Sequence, residues 1–118
     1  MKVVVVGLGP AGPELLTAEA AAAVDRIPHR FLRTTRHPAA VAVPDATSFD
    51  ERYEAADSMA AVYRGIVDDL ATAAAEHGEV LYAVPGSPAV AEHTVELLRA
   101  DDRVEVTVLA SVSFLDLA

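Results

Sequence analysis

Three short stretches carry residue types that could do chemistry at close quarters. The first is Gly7-Leu8-Gly9-Pro10-Ala11-Gly12-Pro13, which formally matches G-x-G-x-x-G. Glycines there let the backbone approach a ligand closely, and a following helix N-terminus favours anionic groups. Pro10 and Pro13 remove two N–H groups that a pyrophosphate would use. Arg33-Thr34-Thr35-Arg36, at the end of the second expected strand, offers no acid for a ribose hydroxyl, although Arg33 suits a 2′-phosphate. An NADP-dependent reductase is therefore one alternative, and a tight strand-to-helix turn holding nothing is another. The other two stretches are Pro85-Gly86-Ser87-Pro88 and Ala110-Ser111-Val112-Ser113.

Other constellations are poorer. Ser87 and His93 invite a triad reading with nearby acids, but no nucleophile elbow G-x-S-x-G is present. The four histidines have no paired spacing, so no metal site is expected. His77 belongs at a helix end and His93 on a solvated helix face. Asp68 and Asp69 read as solvated, and Glu51, Glu54 and Asp57 as support for a helix N-terminus. Arg26, Arg30, Arg33 and Arg36 cluster with His29 and His37. That group is either a solvated strand edge facing acidic helices or a patch for an anionic ligand or partner. No residue stands out as a general base, and the catalytic residues are unknown.

These stretches belong to one domain. The chain has 118 residues, 53% of them hydrophobic, with a net charge of −9. Such apolar content excludes a disordered chain. The acidic balance argues against nucleic acid, whose phosphates require excess Lys and Arg. Without cysteine there are no disulfides, thiolate chemistry or Cys-ligated zinc. No apolar run approaches the roughly 20 residues of a membrane span, and the start lacks the cleavage site of a secretory signal. A cytoplasmic protein is the expectation.

The elements that must position the three stretches follow from periodicity. Val3–Val6 and Val80–Val84 are continuous apolar runs, as expected of strands buried on both faces. Helix formers fill Glu14 to Val24, with Pro13 at a first helical position. Arg30 to Thr34 suits a short strand; Pro38 to Val43 suits either a short helix or a third strand. Ser48-Phe49-Asp50-Glu51 has capping-box spacing before a long helix from about Arg52 to His77, with Met59, Val62, Tyr63, Ile66, Val67 and Leu70 on its apolar face. Gly78 supplies its stop. Ser87 caps and Pro88 opens a helix reaching about Arg99, with Val90, Val95 and Leu98 inward. Val104, Val106 and Val108 alternate with polar residues, as in a half-exposed strand near a sheet edge. The order predicts an α/β fold: a Rossmann-like three-layer sandwich with a mostly parallel sheet of about five strands and helices on both faces. Right-handed crossovers bring residues 7–13, 85–88 and 110–113 to one edge, where such sheets bind ligands.

The loops then carry a resemblance. Val6-Gly7-Leu8-Gly9-Pro10-Ala11-Gly12-Pro13-Glu14-Leu15-Leu16-Thr17 resembles the opening V-G-x-G-P-G-D-P-x-L-L-T of the tetrapyrrole (corrin/porphyrin) methylases. Leu32-Arg33-Thr34 with His37-Pro38, Ser48-Phe49-Asp50 with Tyr53-Glu54, Tyr82-Ala83-Val84-Pro85-Gly86-Ser87-Pro88 and Val112-Ser113-Phe114-Leu115-Asp116 resemble the branch fused to MazG-type nucleoside triphosphate pyrophosphohydrolases. The resemblance implies that residues 1–118 are the N-terminal half of a two-part methylase unit, with S-adenosylmethionine as cofactor in the cleft between the halves. It implies cofactor contacts from Gly9, Pro10, Pro85, Gly86, Ser87, Val90, Ser111 and Ser113. As partners it implies a C-terminal half and a fused or separate pyrophosphohydrolase domain, while the faces at loops 7–13 and 110–113, left without that half, predict self-association into a homo-oligomer. The chain also departs from the family pattern. G-P-G-D-P appears as Gly9-Pro10-Ala11-Gly12-Pro13, the polar residue of P-G-D-P or P-G-H-P as Ser87, and the glycine before Val112-Ser113 as Ser111. The departures keep a second expectation alongside the methyltransferase, that of a non-catalytic nucleotide-sensing or dimerisation module.

Overall fold

The computed structural model describes residues 1–86 and 93–111. β1 (Lys2–Gly7) is followed by a 3-10 turn (Pro13–Leu15), α1 (Ala18–Arg26), β2 (Arg30–Leu32), a second 3-10 turn (Pro38–Ala42) and β3 (Thr47–Ser48). Then come α2 (Asp50–Ala55), α3 (Met59–His77), β4 (Glu79–Val84), α4 (His93–Arg99) and β5 (Glu105–Val108). The five strands form one parallel sheet in the order β3-β2-β4-β1-β5. β1 and β4 run in register from Lys2 opposite Glu79 to Gly7 opposite Val84.

The continuous apolar runs give the two central strands, because a parallel sheet covered on both faces buries every side chain of its middle. Alternate residues serve opposite cores. Val3, Val5, Val80, Tyr82 and Val84 pack with Val62, Ile66 and Leu70 of α3 and with Val95 and Leu98 of α4. Val4, Val6, Leu81 and Ala83 pack with Ala20, Ala23 and Val24 of α1 and with Ala39 and Val43 around the second 3-10 turn. The three-layer expectation holds. Among the described residues β5 pairs with β1 alone, and it alternates exposed with half-buried residues, as its sequence pattern requires of an edge strand.

Three helix boundaries differ from expectation. The helix expected from Glu14 starts at Ala18. Pro13 opens a 3-10 turn, Leu16 is extended (ψ 131°), and Thr17 caps α1 by accepting the Ala20 N–H at 3.1 Å. The long helix is two: Ala56 is extended (ψ 146°), and Ser58 caps α3 by accepting the Ala61 N–H at 3.2 Å. Met59, placed on the apolar face, is exposed. The capping box at Ser48 does not form, because Ser48 Oγ accepts the Asp50 N–H and donates to the Asp50 carboxylate instead. Residues 38–42 are a 3-10 turn, and the third strand is the two-residue β3. Gly78, at φ 85°, ends α3 as expected.

Candidate functional site

Neighbouring β1 and β4 send their chains in opposite directions: β1 through α1 toward β2, and β4 through α4 toward β5 on the other face. The carboxyl ends of these two strands are therefore the switch point where open α/β sheets form a ligand crevice. Two of the three glycine- and serine-rich stretches meet there. The Leu8 N–H continues the ladder to Val84 O at 2.8 Å. Beyond it the strands stop running parallel, and Gly9 and Gly86 form an isolated antiparallel bridge. Each donates its N–H to the other's carbonyl, at 3.0 and 3.1 Å. Both glycines lie at positive φ, 76° and 66°, a region that costs an L-residue about 1–2 kcal/mol.

Gly9 is buried, while Pro10, Pro85 and Gly86 are half-buried beside the bridge. The end of β5 joins the same edge: Leu109 N–H donates to Val5 O at 3.0 Å, and the Thr17 hydroxyl donates to Ala110 O at 3.4 Å. Ser111 follows, its hydroxyl oxygen buried and without a hydrogen-bond partner among the described residues. Gly9, Pro10, Pro85, Gly86 and Ser111 thus share the carboxyl edge of three adjacent strands. Ser87, Val90 and Ser113 lie outside the described residues.

The G-x-G-x-x-G match does not bring an α-helix to the rim. Gly12 O accepts the Leu15 N–H in the 3-10 turn, and α1 begins six residues beyond Gly12 with Thr17 already on its cap. Ala11, at the family's glycine position, does not take a positive φ; among described non-glycine residues Asp45 does, at 56°.

His37 was legible in the sequence only as part of the basic cluster and of a His-Pro pair. Its Nε2 lies 2.9 Å from Gly9 O, and its Nδ1 accepts the Ala39 N–H at 3.0 Å. Acceptance at Nδ1 assigns the ring proton to Nε2, which donates to Gly9 O. The available signal was a polar residue just before Pro38, suited to capping the turn that Pro38 opens.

The arginine cluster is dispersed by the fold. β2 is an interior strand, so its flanks are not a solvated sheet edge. Arg26 pairs with Glu79 and Arg36 with Glu54, both at 2.8 Å, while Arg30 donates to Ile27 O and Pro44 O. Asp50 holds the turn after β2: its carboxylate accepts the Thr35 N–H and hydroxyl and the Ser48 hydroxyl. Those bonds, with one from the Thr34 side chain the largest influence, hold its pKa far below the usual carboxylate range. Asp69 pairs with Arg52, and Asp68 with Arg103. His77 stacks on His29 at 3.6 Å, and His93 lies exposed beside Tyr63. No group of three metal-ligating side chains occurs among the described residues. An open hollow of about 720 Å³ against Phe31, Phe49 and Arg52 includes none of the rim residues.

A parallel α/β sheet with helices on both faces, and a switch point lined by backbone and small side chains, defines the class: a doubly wound α/β domain. Within that class the chain belongs to the tetrapyrrole (corrin/porphyrin) methylases, which it matches over residues 2–118. It is 38% identical to the Bacillus subtilis (strain 168) protein described as "Uncharacterized protein YabN", over 98% of this chain and 25% of that protein. Its fold is similar to that of the native form of uroporphyrin III C-methyl transferase from Thermus thermophilus, with TM-score 0.68 and 25% identity, over 98% of this chain and 46% of that one. A structure of the Thermus thermophilus enzyme complexed with S-adenyl homocysteine gives TM-score 0.65 and 22% identity, over 98% of this chain and 50% of that one. The chain thus spans about half the length of these solved structures and a quarter of the Bacillus protein.

Proposed function

We propose that the chain is the N-terminal half of an S-adenosylmethionine-dependent methyltransferase unit and forms one wall of the methyl donor's cleft. The observation that carries this reading is the Gly9–Gly86 bridge at the switch point, within a chain of the tetrapyrrole methylase family. The residues present suit such a ligand. A Cβ at Gly86 would meet no described atom within 4 Å, so nothing among the described residues crowds the rim at that position. The buried Ser111 hydroxyl, without a partner among the described residues, offers a donor and an acceptor on the same edge. Bound there, the cofactor would supply an electrophilic methyl group. The chain's own contribution is positioning and exclusion of water by Gly9, Pro10, Pro85, Gly86 and Ser111, with Ser87, Val90 and Ser113 assigned to the same wall by the family pattern. No charged group is needed for that role, since methyl transfer from a sulfonium depends chiefly on alignment.

A second reading has its own support. Loop 7–13 contains no acid, and both ring nitrogens of His37 are engaged, so the described rim offers no free acid or base. That favours a non-catalytic module sensing an adenosyl or nucleotide ligand, or dimerising, beside a MazG-type pyrophosphohydrolase. The NADP-dependent reductase is the weakest alternative, because α1 does not start at the glycine turn.

Calorimetry on the natural full-length polypeptide separates the methyltransferase from the reductase. Heat with S-adenosylhomocysteine and none with NADPH supports the methyl-donor site, and the reverse supports the reductase. No heat with the adenosyl ligand at millimolar concentration removes the methyltransferase reading. A coding sequence continuing past Ala118 into a second α/β half and an acidic helical domain supports the fused arrangement.

A further inference from the structure

We propose that His37 is a positioning residue that bolts the Gly9 turn against Gly86 and so fixes the shape of the ligand rim. The role rests on the proposed adenosyl site, but its structural basis stands apart from any ligand.

The imidazole is held at both ends. On one side, Nδ1 accepts the Ala39 N–H, and Ala39 is fully buried in the core beneath α1. On the other, Nε2 reaches the Gly9 carbonyl at 2.9 Å across 28 residues of sequence. The Gly9 oxygen therefore receives two donors, the His37 ring and the Gly86 N–H. A carbonyl oxygen has two lone pairs, so both are used and its orientation is fixed. Gly9 has no side chain to anchor its peptide plane, and at positive φ it samples more backbone conformations than other residues would. The ring supplies the anchor that the glycine lacks. It links the turn after β1, at the rim, to the 3-10 turn after β2, which packs in the core.

Two substitutions separate the bonds. In His37→Asn, the short amide oxygen can still cap the Ala39 N–H, as asparagine commonly does, but the side chain is too short to reach Gly9. In His37→Gln, the longer amide can still donate to Gly9 O, and the local cap is lost. Amide hydrogen exchange of Gly86, read by NMR, reports the bridge directly. The Asn variant is expected to exchange about three- to tenfold faster than wild type, the scale of one neutral hydrogen bond, with Gln close to wild type. S-adenosylhomocysteine affinity of the natural full-length polypeptide is expected to follow the same order, falling about three- to tenfold in Asn and recovering in Gln. A merely structural role would make the two variants alike. The inference is overturned if Gly86 exchange is unchanged in Asn, or if Gln exchanges as fast as Asn. Wild-type protein that binds no S-adenosylhomocysteine would sink the adenosyl reading instead, and the exchange comparison would still decide whether His37 holds the bridge.

Discussion

Gly9 and Gly86 face one another just beyond the carboxyl ends of β1 and β4, each giving its N–H to the other's carbonyl, yet their surroundings differ. A Cβ at Gly9 would sit 3.2 Å from the Leu15 carbonyl oxygen, whereas at Gly86 it would meet no described atom within 4 Å. Both substitutions bear the positive-φ cost of about 1–2 kcal/mol. Gly9→Ala adds crowding against backbone. It is expected to lower stability by about 2–3 kcal/mol and Gly86→Ala by about 1 kcal/mol, measured by urea unfolding. Ligand binding should rank the other way relative to stability. The Gly86 methyl would enter the proposed cleft, so Gly86→Ala should lose S-adenosylhomocysteine affinity out of proportion to its small folding cost.

Asp101 gives the fold a defined acid sensitivity. Its carboxylate accepts from the Arg103 backbone N–H at 2.9 Å and from the guanidinium at 2.7 and 3.0 Å. The guanidinium, then the backbone bond, lower its pKa from 3.8 to about 2. A depressed folded pKa stabilises the native state above the unfolded value, and that contribution disappears as the pH falls through the folded one. The window is therefore below about pH 4 and down to about pH 2. The melting temperature of Asp101→Asn is expected to be lower than wild type at neutral pH and to converge with it across this window. Parallel melting curves down to about pH 2 would show that the pair contributes nothing.

What the sequence could and could not disclose follows from the range of each interaction. Val3–Val6 and Val80–Val84 were readable because burial on both faces writes itself as an unbroken apolar run. The half-exposed edge strand β5 was readable from alternation. Thr17 and Ser58 do not stand out as caps because good helix formers surround both, and the breaks at Leu16 and Ala56 reflect tertiary packing that propensity does not contain. β3, at two residues, is too short to produce a period. The rim glycines were found from local pattern and family resemblance together. His37 was not, since its function depends on meeting a residue 28 positions away, and a lone histidine carries no mark of that.

Gly65, in the middle of α3, has a physical reason to be glycine. A Cβ there would collide with the Arg52 guanidinium, which lies across that position to reach both oxygens of Asp69 at 2.7 and 2.8 Å. Mid-helix glycine costs about 1 kcal/mol relative to alanine. Arg52→Ala removes an exposed pair of about 0.2–1 kcal/mol. In the wild-type background, Gly65→Ala should gain helix propensity and lose the ion pair, for a net change near zero. In the Arg52→Ala background the same substitution should stabilise by about 1 kcal/mol. A double-mutant cycle by chemical denaturation measures the difference, and strict additivity would refute the proposed crossing of helix and side chain.

Ser111 offers the sharpest separation of folding from binding. A buried hydroxyl without a partner costs about 1–3 kcal/mol of lost solvation, and Ser111 has no partner among the described residues, so its hydroxyl is expected to add nothing to the stability of the free protein. Replacing it by alanine removes the polar atom while leaving the backbone intact. Ser111→Ala is therefore expected to keep or slightly raise the melting temperature, by the equivalent of about 0–1 kcal/mol. If the hydroxyl completes its hydrogen bonds on a ligand of the crevice, the same variant should weaken S-adenosylhomocysteine binding about three- to tenfold. A destabilised Ser111→Ala would show instead that the hydroxyl already has a partner within the folded chain. An unchanged affinity would remove Ser111 from the ligand wall and leave the Gly9–Gly86 bridge and Pro10 to define it.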